Sequence, residues 1–232
     1  GCVEADDFIE PNMFEKLYLY SNEGTIDIVK SNFWNCYEED NGKITRVINE
    51  ERANMPELST PFTIREYPQI LWGHPSIWSA IYKRTLIENN GIKFKEAKGG
   101  GWVDNPFFFE TMCCAKSIYW TKRPFYCYRT EVEGSSSKGY DFNIPFDRMI
   151  DNLNVLEKCN FQDEETLKFA YARALMYLCG AIAESDYDGK EQLFYRKARK
   201  MLQKMNATVI MDDFNVCDQK TFLKYLSPIN TL

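Results

Sequence analysis

A chain of 232 residues, 44% hydrophobic and 15% aromatic, has the means to build a substantial core, and its 27% of charged residues is ordinary for a water-soluble protein. The formal net charge of −6 argues against a nucleic-acid surface, which needs a basic stripe, so no nucleic-acid partner is expected. No apolar run reaches the roughly eighteen residues of a membrane span and no signal-peptide pattern opens the chain, which makes a cytoplasmic protein the simplest expectation.

The first stretch with chemical content is Val3 to Pro11, where Glu4, Asp6 and Asp7 fall within four positions. Such carboxylates repel one another unless a cation holds them. Hard divalent ions such as Mg²⁺ or Mn²⁺ take one or two carboxylates together with a substrate's phosphates. The same pattern also suits an acidic turn that caps a helix and complements its dipole, so locally both readings stand. A helix is expected to follow, with Pro11 in its first turn and an apolar stripe at Met13, Phe14, Leu17 and Tyr18. The acidic cluster would then occupy a strand-to-helix turn at an edge.

Thr25 to Lys30 reads as a strand, and Phe33 to Tyr37 with Lys43 to Ile48 reads as a hairpin around Asn41-Gly42, followed by a polar connector. A short helix is expected over Thr63 to Leu71, limited by Pro68. The segment Trp72 to Arg84 is dense in aromatics. It holds the single histidine, His74, which reads as a hydrogen-bonding residue rather than a metal ligand, and Trp78 and Tyr82, which suit either the core or a sugar or nucleotide pocket. Thr85 to Asn90 is a helix stopped by Gly91.

Lys98-Gly99-Gly100-Gly101 reads as a mobile loop leading into Trp102-Val103-Asp104 and suited to closing over a substrate. Asp104 precedes a Phe-rich helix through Ala115. It reads either as a helix cap or as a general base, because a carboxylate beside Trp102 and Phe107 has its pKa raised. Strands are expected from Ile118 to Tyr128. The polar loop after them carries Arg129, Ser136 and Lys138, which could hold a diphosphate, and a solvated loop is the alternative.

Near residue 145 the character changes, with helical periodicity over 146–158, 164–184, 190–205 and 220–226. The expected division is therefore residues 1–145 and a helical extension over 146–232. Arg196, Lys197, Arg199, Lys200 and Lys204 make one helix basic. That helix is either a solvated face or a peripheral contact with an anionic membrane surface. The eight cysteines show no C-x-x-C pair or regular spacing and read as buried reduced thiols, Cys179 among them.

The run from Glu4 to Leu17 resembles the D-x-D-D-x-I-x-P-x-x-L-E-x-L segment of family 2 inverting glycosyltransferases of the GT-A fold. The run from His74 to Arg84, then Asp104-Asn105-Pro106-Phe107-Phe108-Phe109-Glu110, then Tyr128-Arg129 with Gly134-Ser135-Ser136-Ser137, follow in the order seen in bacterial cell-surface polysaccharide members. The resemblance implies an α/β chain: the acceptor-side half of a partial, Rossmann-like GT-A domain, followed by helices. It implies sugar transfer from a nucleotide-sugar donor to a saccharide or lipid-linked acceptor hydroxyl at the inner face of a membrane, with inversion. Asp6 would ligate Mn²⁺ or Mg²⁺, with Glu4 as its partner and Asp7 nearby, and Asp104 would deprotonate the acceptor. Trp78, Tyr82, Arg129, Ser136 and Lys138 would shape the pocket.

Glu4 stands where the family usually has Asp, Val103 replaces a frequent acid, and Ala80 a frequent Lys. Family members also carry a βαβ unit ahead of the acidic motif, for which this sequence has no room. The expectation is thus a fragment, weak or inactive alone and prone to self-association through an uncovered sheet edge. The alternative is a non-catalytic remnant or helical interaction module.

Overall fold

The computed structural model describes residues 1–49, 54–97, 101–130, 141–184 and 191–227. Its centre is a five-stranded mixed sheet built on two long strands that run parallel, β2 (Ile28–Glu38) and β5 (Ile118–Arg129). The other strands are β1 (Phe8–Ile9), β3 (Ile44–Ile48) and β4 (Ala80–Tyr82). β1 lies antiparallel on the far side of β5. The free side of β2 is shared, with β4 pairing to residues 28–30 and β3 to residues 34–38, both antiparallel. The two short strands foreseen at 25–30 and 33–37 are thus one strand. The hairpin at Asn41-Gly42 forms with Glu38 opposite Ile44.

β5 is irregular in its middle, where the pairing jumps from Ser31↔Thr121 to Phe33↔Tyr126. Pro124 has no N–H to give to a ladder. Glu57, from the connector, accepts the Lys122 N–H at 3.0 Å, and Thr121 Oγ1 accepts that of Arg123 at 3.2 Å. The displaced donors are met off the ladder, and β5 resumes at Phe125 with its C-terminal end turned toward the acidic segment.

Helix α1 (Met13–Tyr20) forms as expected, but only Met13 and Leu17 are buried, while Phe14 and Tyr18 are exposed. The buried stripe is an i, i+4 pair, narrower than the sequence pattern suggested. Helix α2 (Arg84–Asn90) ends at Gly91, whose φ of 61° is the left-handed stop that glycine supplies without strain. Between Thr63 and Leu71 the expected helix shrinks to turns and a 3₁₀ helix, Pro68–Trp72. Helix α3 (Asp104–Cys114) follows.

The C-terminal helices are α4 (Asn143–Lys158), α5 (Glu164–Glu184), α6 (Glu191–Leu202), α7 (Ala207–Asp213) and α8 (Val216–Leu226). Helix α7 was not foreseen; its Asn206 cap accepts the Thr208 N–H. The change of character near 145 falls in the first turn of α4. Across it α4 packs on α3 and α5 on the 3₁₀ helix, and buried apolar residues from Met13 to Tyr225 form a single cluster. The basic helix α6 sends Lys197 to Asp147 at 2.6 Å, and just past its end Lys204 pairs with Glu157 at 3.0 Å, so part of the basic segment's charge is used within the fold.

Cys36 and Cys127 are buried, whereas Cys179 and Cys217 are exposed, which corrects the expectation for Cys179; no described cysteine is in a disulfide. The apolar neighbours of Cys179 lie on the other faces of α5. On β3 the apolar Ile44, Val47 and Ile48 are exposed. No helix among the described residues is long and apolar enough to cross a membrane.

Candidate active site

Two buried cations organise the loops around the site. Lys30 on β2 is fully buried, and its amine donates to the carbonyls of Pro75 (3.0 Å) and Ser76 (2.7 Å) and to Ser79 Oγ (3.1 Å). A buried ammonium needs several acceptors, and this set fixes the 75–79 turn. The turn delivers Trp78 to the sheet. Trp78 is 5% exposed and lies between Tyr126 (4.1 Å between ring centroids) and Tyr128 (5.4 Å), with Phe33 edge-on at 4.7 Å. Of the two roles open to it, the structure places Trp78 in the core. His74 accepts the Ser76 N–H at Nδ1, as expected of a structural histidine.

Tyr126, at the base of that stack, carries the N-terminal acidic segment. Its hydroxyl accepts the Glu4 N–H at 3.0 Å and donates to Asp7 Oδ2 at 2.8 Å. The other oxygen of Asp7 accepts the Arg129 N–H at 2.8 Å. Asp7 is therefore committed to the sheet through both oxygens. Glu4 and Asp6 are the members of the cluster left exposed. The segment from Glu4 to Asp7 is a turn that enters β1, one element earlier than the strand-to-helix turn foreseen. Arg129 donates from its guanidinium to the Asp6 carbonyl (3.4 Å) and pairs with Glu38 at 2.7 Å. Ser136 and Lys138 lie outside the described residues, as do Lys98, Gly99 and Gly100 of the glycine loop.

Asp104 opens α3 but is not its cap; that position belongs to Val103, which makes no side-chain capping bond. Burial pushes the Asp104 carboxyl above the ordinary aspartate range. The Arg173 guanidinium, the Asn105 backbone N–H and the Asn105 side chain pull it back, in that order. Glu4 is likewise raised, first by partial burial and then by the negative charges of Asp6, Asp7 and Asp104. Glu4 of the N-terminal turn and the base candidate therefore sit within one electrostatic neighbourhood. Tyr82 belongs to it too: burial raises its phenol, as do Cys2 and Asp104, so it stays neutral, and its hydroxyl donates to the Ile77 carbonyl at 3.0 Å. Phe107 meets its ring edge-on at 5.4 Å.

Among the described residues no three His, Cys, Asp or Glu side chains come together as a ready-made metal cluster. The donor set that remains, Glu4 and Asp6, fits an ion such as Mg²⁺ that keeps water and takes its other ligands from a diphosphate. Sequence reasoning missed Tyr126, Asn105, Arg173 and Tyr177. Arg173 alone left a trace, as a charge in the middle of the apolar run Phe169 to Leu178.

No family model matches the chain. It is 25% identical over 162 residues to the uncharacterized glycosyltransferase YibD of Escherichia coli (strain K12), covering 66% of this chain and 46% of that protein. It is 25% identical over 133 residues to the uncharacterized glycosyltransferase EpsJ of Bacillus subtilis (strain 168), covering 56% and 37%. The chain thus spans less than half the length of these relatives. Among solved structures, S. aureus TarS 1–349 in complex with UDP superposes with a TM-score of 0.65 at 13% identity, covering 97% of this chain and 61% of that one. A structure of S. aureus TarS gives 0.62 at 13% identity, covering 96% and 39%. The mixed α/β architecture with its C-terminal helices is a fold shared with TarS, and the sequence relatives bear the name of glycosyltransferases.

Proposed function

We propose that this chain is the acceptor-side part of an inverting, family 2 type glycosyltransferase that moves a sugar from a nucleotide-sugar to an acceptor hydroxyl in surface polysaccharide synthesis. The observation that carries this reading is the shared field of Glu4 and Asp104 beside Tyr82, two acidic centres far apart in sequence. Inverting transfer needs two such centres. Departure of a nucleoside diphosphate needs charge neutralisation, while attack needs a base on the opposite face of the sugar. The named relatives support the reaction class, and the UDP of the TarS complex supports a nucleoside diphosphate as the leaving group.

In this scheme Asp104, shielded and raised in pKa, takes the proton of the acceptor hydroxyl. Glu4 and Asp6 hold Mn²⁺ or Mg²⁺, which when bound offsets the charge of the diphosphate. Asp7 holds the acidic turn on Tyr126 and Arg129. Arg129 lines the diphosphate side and Tyr82 the acceptor side. The acceptor is a saccharide or a lipid-linked saccharide presented at the cytoplasmic face of a membrane, which the basic α6 touches peripherally. The exposed apolar edge of β3 is a surface for self-association.

The test is a panel of nucleotide-sugars with Mn²⁺ or Mg²⁺, given to this chain and to any longer gene product that contains it. Donor-dependent release of nucleoside diphosphate is expected, with Asp6→Ala and Asp104→Ala each lowering it by about a hundredfold or more. Turnover untouched by both substitutions would sink the site assignment.

A further inference from the structure

Arg173 stands in the middle of α5 and is 2% exposed. A guanidinium keeps its charge when taken out of water, so its donors need acceptors inside the protein; here the two terminal nitrogens find them and the buried Nε does not. One terminal nitrogen donates to the carbonyls of Leu71 (3.2 Å) and Gly73, tying α5 to the end of the 3₁₀ helix. The other donates to Asn105 Oδ1 at 2.6 Å and to the Tyr177 hydroxyl at 3.0 Å. Tyr177, one turn further along α5, passes its own proton to the same Asn105 Oδ1 at 2.5 Å. The rings of Phe108, Phe109 and Tyr177 enclose the guanidinium, with centroids at 5.3 to 6.0 Å.

Two donors on one oxygen decide how the Asn105 carboxamide stands. With Oδ1 occupied by Arg173 and Tyr177, its Nδ2 must face the other way. There it donates to Asp104 Oδ1 at 3.2 Å and to the Trp102 carbonyl at 3.4 Å. Asn105 is 3% exposed, so water does not compete for it. The same side chain helps to hold Trp102 at a φ of 56°, a left-handed conformation uncommon for a residue with a bulky side chain, and the Tyr177 ring meets Trp102 edge-on at 5.5 Å.

We infer that Arg173 and Tyr177 are positioning residues for Asp104: acting through Asn105, they fix one carboxylate oxygen and with it the orientation of the base. This rests on the reading of Asp104 as the base. It also makes α5, which begins sixty residues after Asp104, a working part of the site rather than an appended helix. Arg173 from α5 favours the ionised form of Asp104, whose own charge in turn raises Glu4 of the N-terminal turn and the phenol of Tyr82.

The test follows the Asp104 carboxyl by carbon-detected NMR titration and the Asn105 side-chain amide by solvent exchange, in the 232-residue chain. The variants are Tyr177→Phe, Arg173→Lys and Arg173→Met, each first checked for a native spectrum. Arg173→Met is expected to move the Asp104 midpoint upward, and Arg173→Lys, which keeps the charge but not the fork, to move it less. Tyr177→Phe is expected to speed exchange of the Asn105 amide by about tenfold and, in a protein that turns over, to lower kcat by about tenfold at unchanged donor KM. Should Arg173→Met fail to fold, Tyr177→Phe and Arg173→Lys carry the test.

An Asp104 midpoint and an Asn105 exchange rate that both stay at wild-type values in folded Tyr177→Phe and Arg173→Lys would overturn the inference. Failure of the base reading looks different: full turnover in Asp104→Asn, with the NMR changes still present.

Discussion

The two acidic centres are held by different means. The turn from Glu4 to Asp7 leans on the sheet: Asp7 takes the hydroxyl of Tyr126 and the backbone N–H of Arg129, both from β5, and leaves Glu4 and Asp6 in solvent. Asp104 leans on a helix, through Asn105, Tyr177 and Arg173. The exposed centre suits an ion and a diphosphate that arrive with their own water. The shielded one suits a base whose pKa has to lie above that of a free aspartate. Support and exposure are thus divided according to what each carboxylate would do.

The contrast is sharpest at Arg173. Arg173→Ala strips donors from the Leu71 and Gly73 carbonyls and from Asn105, and is expected to cost about 3 kcal/mol in urea denaturation. A loss under about 1 kcal/mol would mean that the 71–73 turn and Asn105 find other partners, and the helix-borne half of the comparison would fall.

Next comes Tyr126→Phe, which removes the acceptor of the Glu4 N–H and a donor to Asp7. It is expected to cost about 1–2 kcal/mol, with chemical-shift changes concentrated at residues 2–8 and 126–130. Changes spreading equally to α5 would show that the two supports are not separate.

Asp104→Asn should have the opposite sign. A carboxyl whose pKa is raised by folding begins to cost the folded state stability as pH rises past its unfolded value, and the cost is complete above the raised one, where it must be charged in a poorly solvated place. The amide keeps an oxygen for Asn105 Nδ2 and removes the charge. The melting temperature at pH 7 should rise by an amount on the order of 1–2 °C, and the gain should vanish as pH falls below the aspartate range. A gain that persists at low pH would point to packing rather than charge.

The smallest effect is expected at the Arg129–Glu38 pair, where both partners are more than a third exposed. Glu38→Gln should cost under about 0.5 kcal/mol, and less still in high salt.

Much of this was legible in the sequence where the signal is local. Asn41-Gly42 announced its hairpin, Gly91 its helix stop, and the apolar periodicity of α4, α5 and α6 announced helices at nearly the right bounds. The sites were half legible. The acids drew attention as acids, but nothing in Val3 to Pro11 reveals that Asp7 is tied to Tyr126, 119 residues away. Trp78 looked equally fit for a pocket or a core, because an aromatic residue carries the same letter in both; only Tyr126 and Tyr128 on either side of it decide the matter. Arg173 shows the same limit. A lone cation in an apolar helix signals that something polar lies opposite, but not which residue.

The β1 and β5 pairing joins Phe8 to Cys127, and β2 lies along β5 from Ile28 to Cys36. Closing such distant pairs is slow, because the entropy of a long loop is lost before the contacts reward it. As the polypeptide leaves the ribosome, Phe8 therefore waits for Cys127 until more than a hundred further residues have emerged, and Asp104 waits again for Tyr177. Both halves of the proposed machinery come into being late, and the last to assemble is the one made by the C-terminal helices.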